Sequence, residues 1–219
     1  MIDYTEMNQW LYEGKAPRVK EMTEQALEEG RDVEEILQEG LIAGMSVVGE
    51  DFKHNRLYVP QVLIAARAMK AGMALLKPLL TESGGADSGG TIVMGTVKGD
   101  LHDIGKNLVC MMSEGAGFKI VDLGVDTSAD EFVESVKEHG AGIVGMSALL
   151  TTTMPYMKVV IDRFKEEGLG HIKICVGGAP VSEMFADEIG ADGYAADAPG
   201  AVELFKEMYA SQVPGASGS

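Results

Sequence analysis

The sequence predicts an α/β protein in two parts: an N-terminal four-helix bundle and a flavodoxin-like, Rossmann-type domain with a five-stranded parallel sheet. Three observations predict it. Apolar residues recur at steps of three and four through residues 16–80. A stretch of linker composition, ESGGADSGG at 82–90, then interrupts the chain. Beyond it, short and nearly continuous apolar runs alternate with helical patterns, the texture of parallel strands covered on both faces. Domains are expected over residues 1–85 and 90–212.

In the first part, residues 16–29 form a charged amphipathic stretch that stops at Gly30. Asp32 with Glu35 three residues on has the form of a capping box, opening a helix that carries Leu37, Leu41, Met45 and Val48. Asn55 and Arg56 fall in a polar loop, and Pro60 suits the first turn of the next helix. There Val62, Ala66, Met69, Met73, Leu76 and Leu80 make one apolar stripe, which Pro78 should kink or end. Met is an ordinary gap filler, so the stripe reads as bundle core.

In the second part, strands are expected at 91–96, 119–123, 142–146, 172–176 and 193–195. Helices are expected at 104–116, 128–139, 152–168, 180–189 and 198–210, with Ser128 and Glu131 as a second capping box. From Gln212 onward the Gly- and Ser-rich tail is expected to fray.

The 34 acidic and 18 basic residues leave a net charge of −16, which argues against a nucleic-acid partner. Two cysteines, each in an apolar run, make neither a disulfide framework nor a zinc site. The N-terminus lacks a signal-peptide pattern, and no apolar run is judged to approach the roughly 20 residues of a membrane span. A cytoplasmic protein with no membrane partner is expected.

In an open parallel sheet, ligands bind beyond the carboxyl ends of the strands. Three loops at those ends carry the unusual residues. The first is Gly99-Asp100-Leu101-His102-Asp103-Ile104-Gly105-Lys106-Asn107; the second holds Ser147, Leu149 and Thr151–Thr153; the third is Gly177-Gly178-Ala179-Pro180. A metal-ligating imidazole commonly donates its second N–H to a carboxylate, and Asp100 is placed to receive it from His102. Adjacent glycines allow a bulky ligand close to the backbone, so a side chain at Gly178 is expected to fill ligand space and leave the fold intact. A phosphate-binding loop is the rival, but the glycine spacing is one residue too long and Asn107 stands where Ser or Thr would hold magnesium. By itself an Asp-x-His loop also describes an ordinary solvated turn. His54, His139 and His171 have no comparable setting.

Taken together, these motifs resemble the cobalamin-binding domains of the methionine synthase type. Asp100, His102 and Gly105 are followed after 41 residues by Ser147 and Leu149, and after 27 more by Gly177 and Gly178. The string GTVKGDLHDIGKNLV strengthens the match. Gly44-Met45, Val48-Gly49, Phe52 and the run Tyr58–Val62 resemble the helical cap that accompanies such domains, so the likeness spans about residues 1–210. In total length the chain is similar to the small corrinoid proteins of methylamine, methanol and methoxy-aromatic methyltransferase systems.

The resemblance implies a cobalamin or related corrinoid cofactor, with His102 ligating cobalt from below and Asp100 hydrogen-bonded to it. It implies cofactor contacts from Asp103, Ile104, Gly105 and Thr151, and a hydroxyl beyond Asp100, from Thr153 or a neighbouring Thr. Ser147, Leu149, Gly177 and Gly178 would line a deep slot for the nucleotide tail, and Phe52, Tyr58 and Leu63 would lie near the methyl group. The implied function is a methyl carrier without turnover of its own. Its implied partners are a substrate-specific methyltransferase, a second methyltransferase acting on tetrahydrofolate or coenzyme M, and a reductive activator protein. An adenosylcobalamin mutase subunit is a rival, disfavoured by the cap; a cobalamin-dependent regulator is another, disfavoured by the lack of a DNA-binding segment; a cobalamin storage protein is a third.

Overall fold

Helix breakers set the layout of the N-terminal region. The computed structural model describes residues 2–82 and 90–212, so most of the expected linker and the tail past Gln212 lie outside the described residues. The chain divides into two compact units, Met1–Ser88 with Glu114–Gly117, and Gly89–Ser113 with Phe118–Ser219.

The first unit is helical. Helix α1 (Tyr4–Tyr12) starts at Asp3, whose carboxylate accepts the Thr5 N–H at 2.9 Å, and α2 (Ala16–Glu28) starts with Pro in its first turn. A third run is continuous: α3 (Val33–Glu35), a π-helical stretch over Ile36–Ile42, and α4 (Ala43–Lys53). The capping box expected at Asp32 does not form. The Asp32 side chain makes no cap hydrogen bond, and Glu35 turns instead toward Arg31, 3.5 Å away. The π stretch, which periodicity did not reveal, buries Ile36, Leu37, Gly40 and Leu41. A side chain at Gly40 would place its Cβ 2.8 Å from Met7 Sδ, so the glycine lets α1 approach.

Helix α5 (Val59–Glu82) carries the predicted stripe: Val62, Ala66, Met69, Leu76 and Leu80 are buried and Met73 half-buried. It runs through Pro78 instead of ending there. Pro78 and Ala74, whose carbonyl loses its donor, are both exposed, so water can serve the freed acceptor. By length and composition its Val59–Leu80 stretch, with mean hydropathy 1.3, would suffice to cross a membrane. That corrects the expectation that no run comes near such a length. A core helix passes the same test, and this one packs against α2 and α1 and is interrupted by Arg67, Lys70 and Lys77.

The second unit is the expected parallel sheet. Its strands are β1 (Thr91–Thr96), β2 (Lys119–Asp122), β3 (Ile143–Ser147), β4 (Lys173–Gly177) and β5 (Gly193–Ala195), in the order β2-β1-β3-β4-β5. That is the flavodoxin-like order, with its switch point between β1 and β3. Helices α6 (Ile104–Gly115), α7 (Ala129–His139), α8 (Tyr156–Glu166), α9 (Glu183–Ile189) and α10 (Ala198–Gln212) follow the strands. Val93, Val144, Val176, Phe132, Ile161 and Phe164 form the core on one face. Cys110 and Cys175 are buried and reduced, and the Cys175 thiol, pushed up by burial, lies 3.1 Å from Met208 Sδ.

Two helices begin later than periodicity suggested. Helix α8 starts at Tyr156 because Pro155 disfavours helical geometry in the residue before it, which leaves Thr151–Thr153 in a turn. Helix α9 starts at Glu183, where the Ser182 hydroxyl accepts the Phe185 N–H at 3.2 Å. The box at Ser128 does form: Glu131 N–H donates to Ser128 Oγ at 3.4 Å and Ser128 N–H to Glu131 Oε2 at 2.8 Å. Ser128→Ala should therefore lower stability by about 1 kcal/mol, read as a fall of about 2–4 °C in the melting midpoint.

Candidate functional site

Strand register assembles the site. Thr96, Ser147, Gly177 and Ala195 stand in one row across β1, β3, β4 and β5 at their carboxyl ends. The three loops singled out in the sequence leave from this row, on both sides of the switch point.

Asp100 is the hub. Its side chain is fully buried and accepts from both sides. Oδ1 lies 2.7 Å from His102 Nδ1 and accepts the His102 backbone N–H at 3.1 Å. Oδ2 accepts the Thr153 hydroxyl at 2.6 Å and the backbone N–H groups of Leu149 and Leu150 at 2.8 and 3.3 Å. Burial alone would push this carboxyl up, but the bonds from Thr153, Leu149 and His102 outweigh it and hold it well below the usual carboxylate range. The loop after β3 thus closes over the carboxylate made by the loop after β1. Among the hydroxyls, Thr153 reaches Asp100, while Thr151 and Thr152 are exposed.

An ionised carboxylate only accepts, so Nδ1 of the His102 ring carries a hydrogen, and in the neutral ring the lone pair is on Nε2. The His102 side chain is 51% exposed, and Nε2 has no hydrogen-bond partner among the described residues. Thr96 donates its hydroxyl to the His102 carbonyl at 2.9 Å, fixing the backbone as well. This imidazole is pre-oriented as a ligand. Among the described residues no three of His, Cys, Asp and Glu cluster as a metal site. A single oriented donor suits a metal whose other positions a cofactor fills.

Around His102 the surface is apolar and open. Leu101, Ile104 and Leu149 are 71%, 82% and 43% exposed, and a Cβ built on Gly105 meets nothing within 4 Å. Large exposed apolar side chains beside an open backbone fit a broad, partly apolar ligand. Asp103 is half-buried and accepts from Asn107 Nδ2 at 2.9 Å in the first turn of α6. Ser147, half-buried, accepts the Val97 N–H through its carbonyl. The glycines of the third loop answer first to the protein. At Gly178, φ is +127° and a Cβ would lie 1.9 Å from the Ala148 carbonyl oxygen; at Gly177 it would lie 3.0 Å from that of Ala195. The expectation that a side chain at Gly178 would leave the fold intact is therefore corrected.

The sequence reading missed two features. Lys106 is buried with its ammonium 2.5 Å from Asp122 at the end of β2, tying α6 to the sheet. Its place after Gly105, in a near phosphate-loop string, hinted at phosphate, and only the fold shows the ion pair. Leu150 lends its backbone N–H to Asp100, which no side-chain motif records. In the helical unit Tyr58 and Leu63 are 68% and 37% exposed, so they are not bundle core, whereas Phe52 is half-buried. His54, His139 and His171 are exposed, as expected.

Comparison with known proteins agrees with this geometry. Two family models, each described as a B12 binding domain, match residues 90–203 and 4–77. A corrinoid protein of Desulfitobacterium hafniense is 45% identical over 206 residues, covering 93% of this chain and 95% of its own. Dimethylamine corrinoid protein 1 of Methanosarcina acetivorans is 47% identical over 180 residues, covering 82% and 84%. The methanol:cobalamin methyltransferase complex MtaBC of Methanosarcina barkeri contains a chain that superposes with a TM-score of 0.83 at 31% identity, covering 93% of this chain and 78% of that one.

The chain belongs to the B12-binding family, and its cofactor is cobalamin or a related corrinoid. Within that family it is a corrinoid protein of the kind found in methyltransferase systems.

Proposed function

We propose that the protein carries a methyl group between two partners. A substrate-specific methyltransferase of the methylamine, methanol or O-demethylation type would load it. A second methyltransferase, acting on tetrahydrofolate or coenzyme M, would unload it, and a reductive activator would restore the cofactor. The observation that carries the reading is the His102 ring, held by Asp100 with Nε2 free. The dimethylamine relatives support methyl transfer over radical rearrangement.

The bound corrinoid supplies the methyl-transfer chemistry, through a cobalt that accepts and yields the group. This chain's residues hold and tune it. His102 would offer Nε2 to cobalt, and Asp100 holds the Nδ1 hydrogen and with it the orientation of the ring. Thr153 and the Leu149 and Leu150 N–H groups keep that carboxylate charged and still. Leu101, Ile104, Leu149 and the open backbone at Gly105 would face the ligand; Asp103, Ser147, Thr151, Gly177 and Gly178 would border it, the last two on the side of the nucleotide tail. Tyr58 and Leu63, with Val59 and Ile64, leave an exposed apolar surface on the helical unit. The exchange belongs in a reducing cytoplasm, where the buried Cys110 and Cys175 remain thiols.

A donor such as a methylamine needs its leaving group activated by an acid or a metal, and the imidazole of the site, His102, is committed to Asp100. Reduced holo-protein should therefore gain a cobalt-bound methyl group from the donor only when the cognate methyltransferase is added. Catalytic turnover by this protein alone would overturn the carrier reading. His102→Ala should change the cobalt spectrum while retaining much of the corrinoid binding; an unchanged spectrum would remove His102 as the ligand.

A further inference from the structure

Beyond the Asp100–His102–Thr153 chain, the loop between β2 and α7 grips the same turn from the opposite side. Asp126 is an exposed residue with φ +56°, one of two non-glycine residues at positive φ among those described. In that left-handed geometry it makes two bonds to consecutive residues of the ligand loop. Its carboxylate accepts the Gly99 N–H at 2.7 Å, and its own N–H donates to the Asp100 carbonyl at 3.0 Å. The next residue continues the seam: Thr127 N–H donates to the Thr96 carbonyl, and Val97 bridges Thr127. Gly99, at φ +84°, therefore sits at a reversal in which both its N–H and the following carbonyl are taken by one residue.

This fixes where Asp100 stands before its side chain makes any bond. The carboxylate must reach Nδ1 of His102 on one side and Thr153 on the other, 53 residues away in sequence. Rotation of the Gly99–Asp100 peptide would move both oxygens together. Asp is among the few side chains that tolerate the left-handed region, and a short carboxylate reaches the N–H two loops away. The helix α7 cap does not explain the choice, because Ser128 and Glu131 supply the cap themselves.

We propose that Asp126 is a positioning residue for cobalt ligation: a two-point clamp on Gly99 and Asp100 that presets the aim of His102. The inference rests on His102 being the axial ligand. Asp126 touches neither the imidazole nor Thr153 in any recorded bond, so its effect is transmitted through the backbone of the ligand loop.

The test uses holo-protein carrying nitrogen-15-labelled histidine and loaded with the corrinoid in its Co(II) form, whose electron-spin spectrum then shows nitrogen-15 splitting only when a protein imidazole is bound. Asp126→Ala should lower the ratio of histidine-ligated to unligated cobalt about fivefold, as loss of one solvent-exposed hydrogen bond implies. Asp126→Asn keeps an acceptor and the left-handed tolerance, and should restore most of the ratio. Asp126→Gly keeps only the backbone freedom and should not restore it. A purely structural role would lower the melting midpoint of all three without this ordering. The clamp is overturned if Asp126→Ala keeps the wild-type ratio while His102→Ala loses the splitting. If His102→Ala keeps the splitting, the ligand assignment itself fails. The clamp is then judged on the apo-protein, where the Gly99 amide should exchange with solvent several-fold faster in Asp126→Ala; unchanged exchange overturns it.

Discussion

Asp100→Ala is expected to be the most damaging single substitution at the site, lowering the stability of the apo-protein by about 3–5 kcal/mol. The carboxylate is fully buried and serves the Thr153 hydroxyl, two backbone N–H groups of the loop after β3, and both nitrogens offered by His102. Removing it strands several donors away from water at once. A fall of roughly 10 °C in the apo melting midpoint should follow. Asp100→Asn should lose less but still measurably, because one amide oxygen can satisfy only one of the two sides and the amide N–H₂ confronts other donors. His102→Ala, by contrast, leaves the carboxylate its partners from the β3 loop and removes a half-exposed ring, so it should cost no more than about 1 kcal/mol. Denaturant melts of the three apo-proteins check the order. If Asp100→Ala melts like His102→Ala, the carboxylate is not the hub that joins the two loops.

Two glycines in the site should respond with opposite signs. Gly178→Ala should destabilise the apo-protein by at least about 3 kcal/mol, combining backbone strain with overpacking. The added Cβ would sit 1.9 Å from the Ala148 carbonyl oxygen, at a φ of +127°. Gly105→Ala meets no atom within 4 Å and lies in the first turn of α6. It should leave the apo midpoint unchanged or raise it slightly, because Ala is the better helix former. Corrinoid affinity should nevertheless fall at least about fivefold, since the methyl group occupies space taken by the ligand. Thermal melts with and without corrinoid, together with a binding titration, separate the two. Unchanged affinity in Gly105→Ala would show that the ligand does not approach the backbone there.

How much of this was legible in the residues follows from the range of each interaction. Periodicity located all five strands of the sheet to within a residue, because a strand buried on both faces is a continuous apolar run in any context. It placed the helix starts less well where a local competitor acted. Pro155 pushed the start of α8 to Tyr156, and Arg31 drew Glu35 away from the Asp32 cap. The π stretch at Ile36–Ile42 left no signal in the periodicity, and neither did the close approach of Met7 to Gly40 within it. Pro78 is expected to kink or end its helix; the helix continues through it, and the exposure of Pro78 and Ala74 leaves the freed carbonyl open to water.

By itself the sequence determined the fold class, the corrinoid class of cofactor through its spaced motifs, and the pairing of Asp100 with His102. Those rest on contacts within a few residues or on spacings a family keeps. Only the tertiary structure decided that Thr153, and not Thr151, completes the network, because choosing among three consecutive hydroxyls depends on how the turn before α8 folds onto β1. It also decided that Gly178 is glycine for the sake of Ala148, that Lys106 belongs to Asp122, and that Asp126 grips the ligand loop from behind. Each of these joins residues from different loops at one sheet edge. Strand register brings them together, and no local pattern in the chain encodes that register.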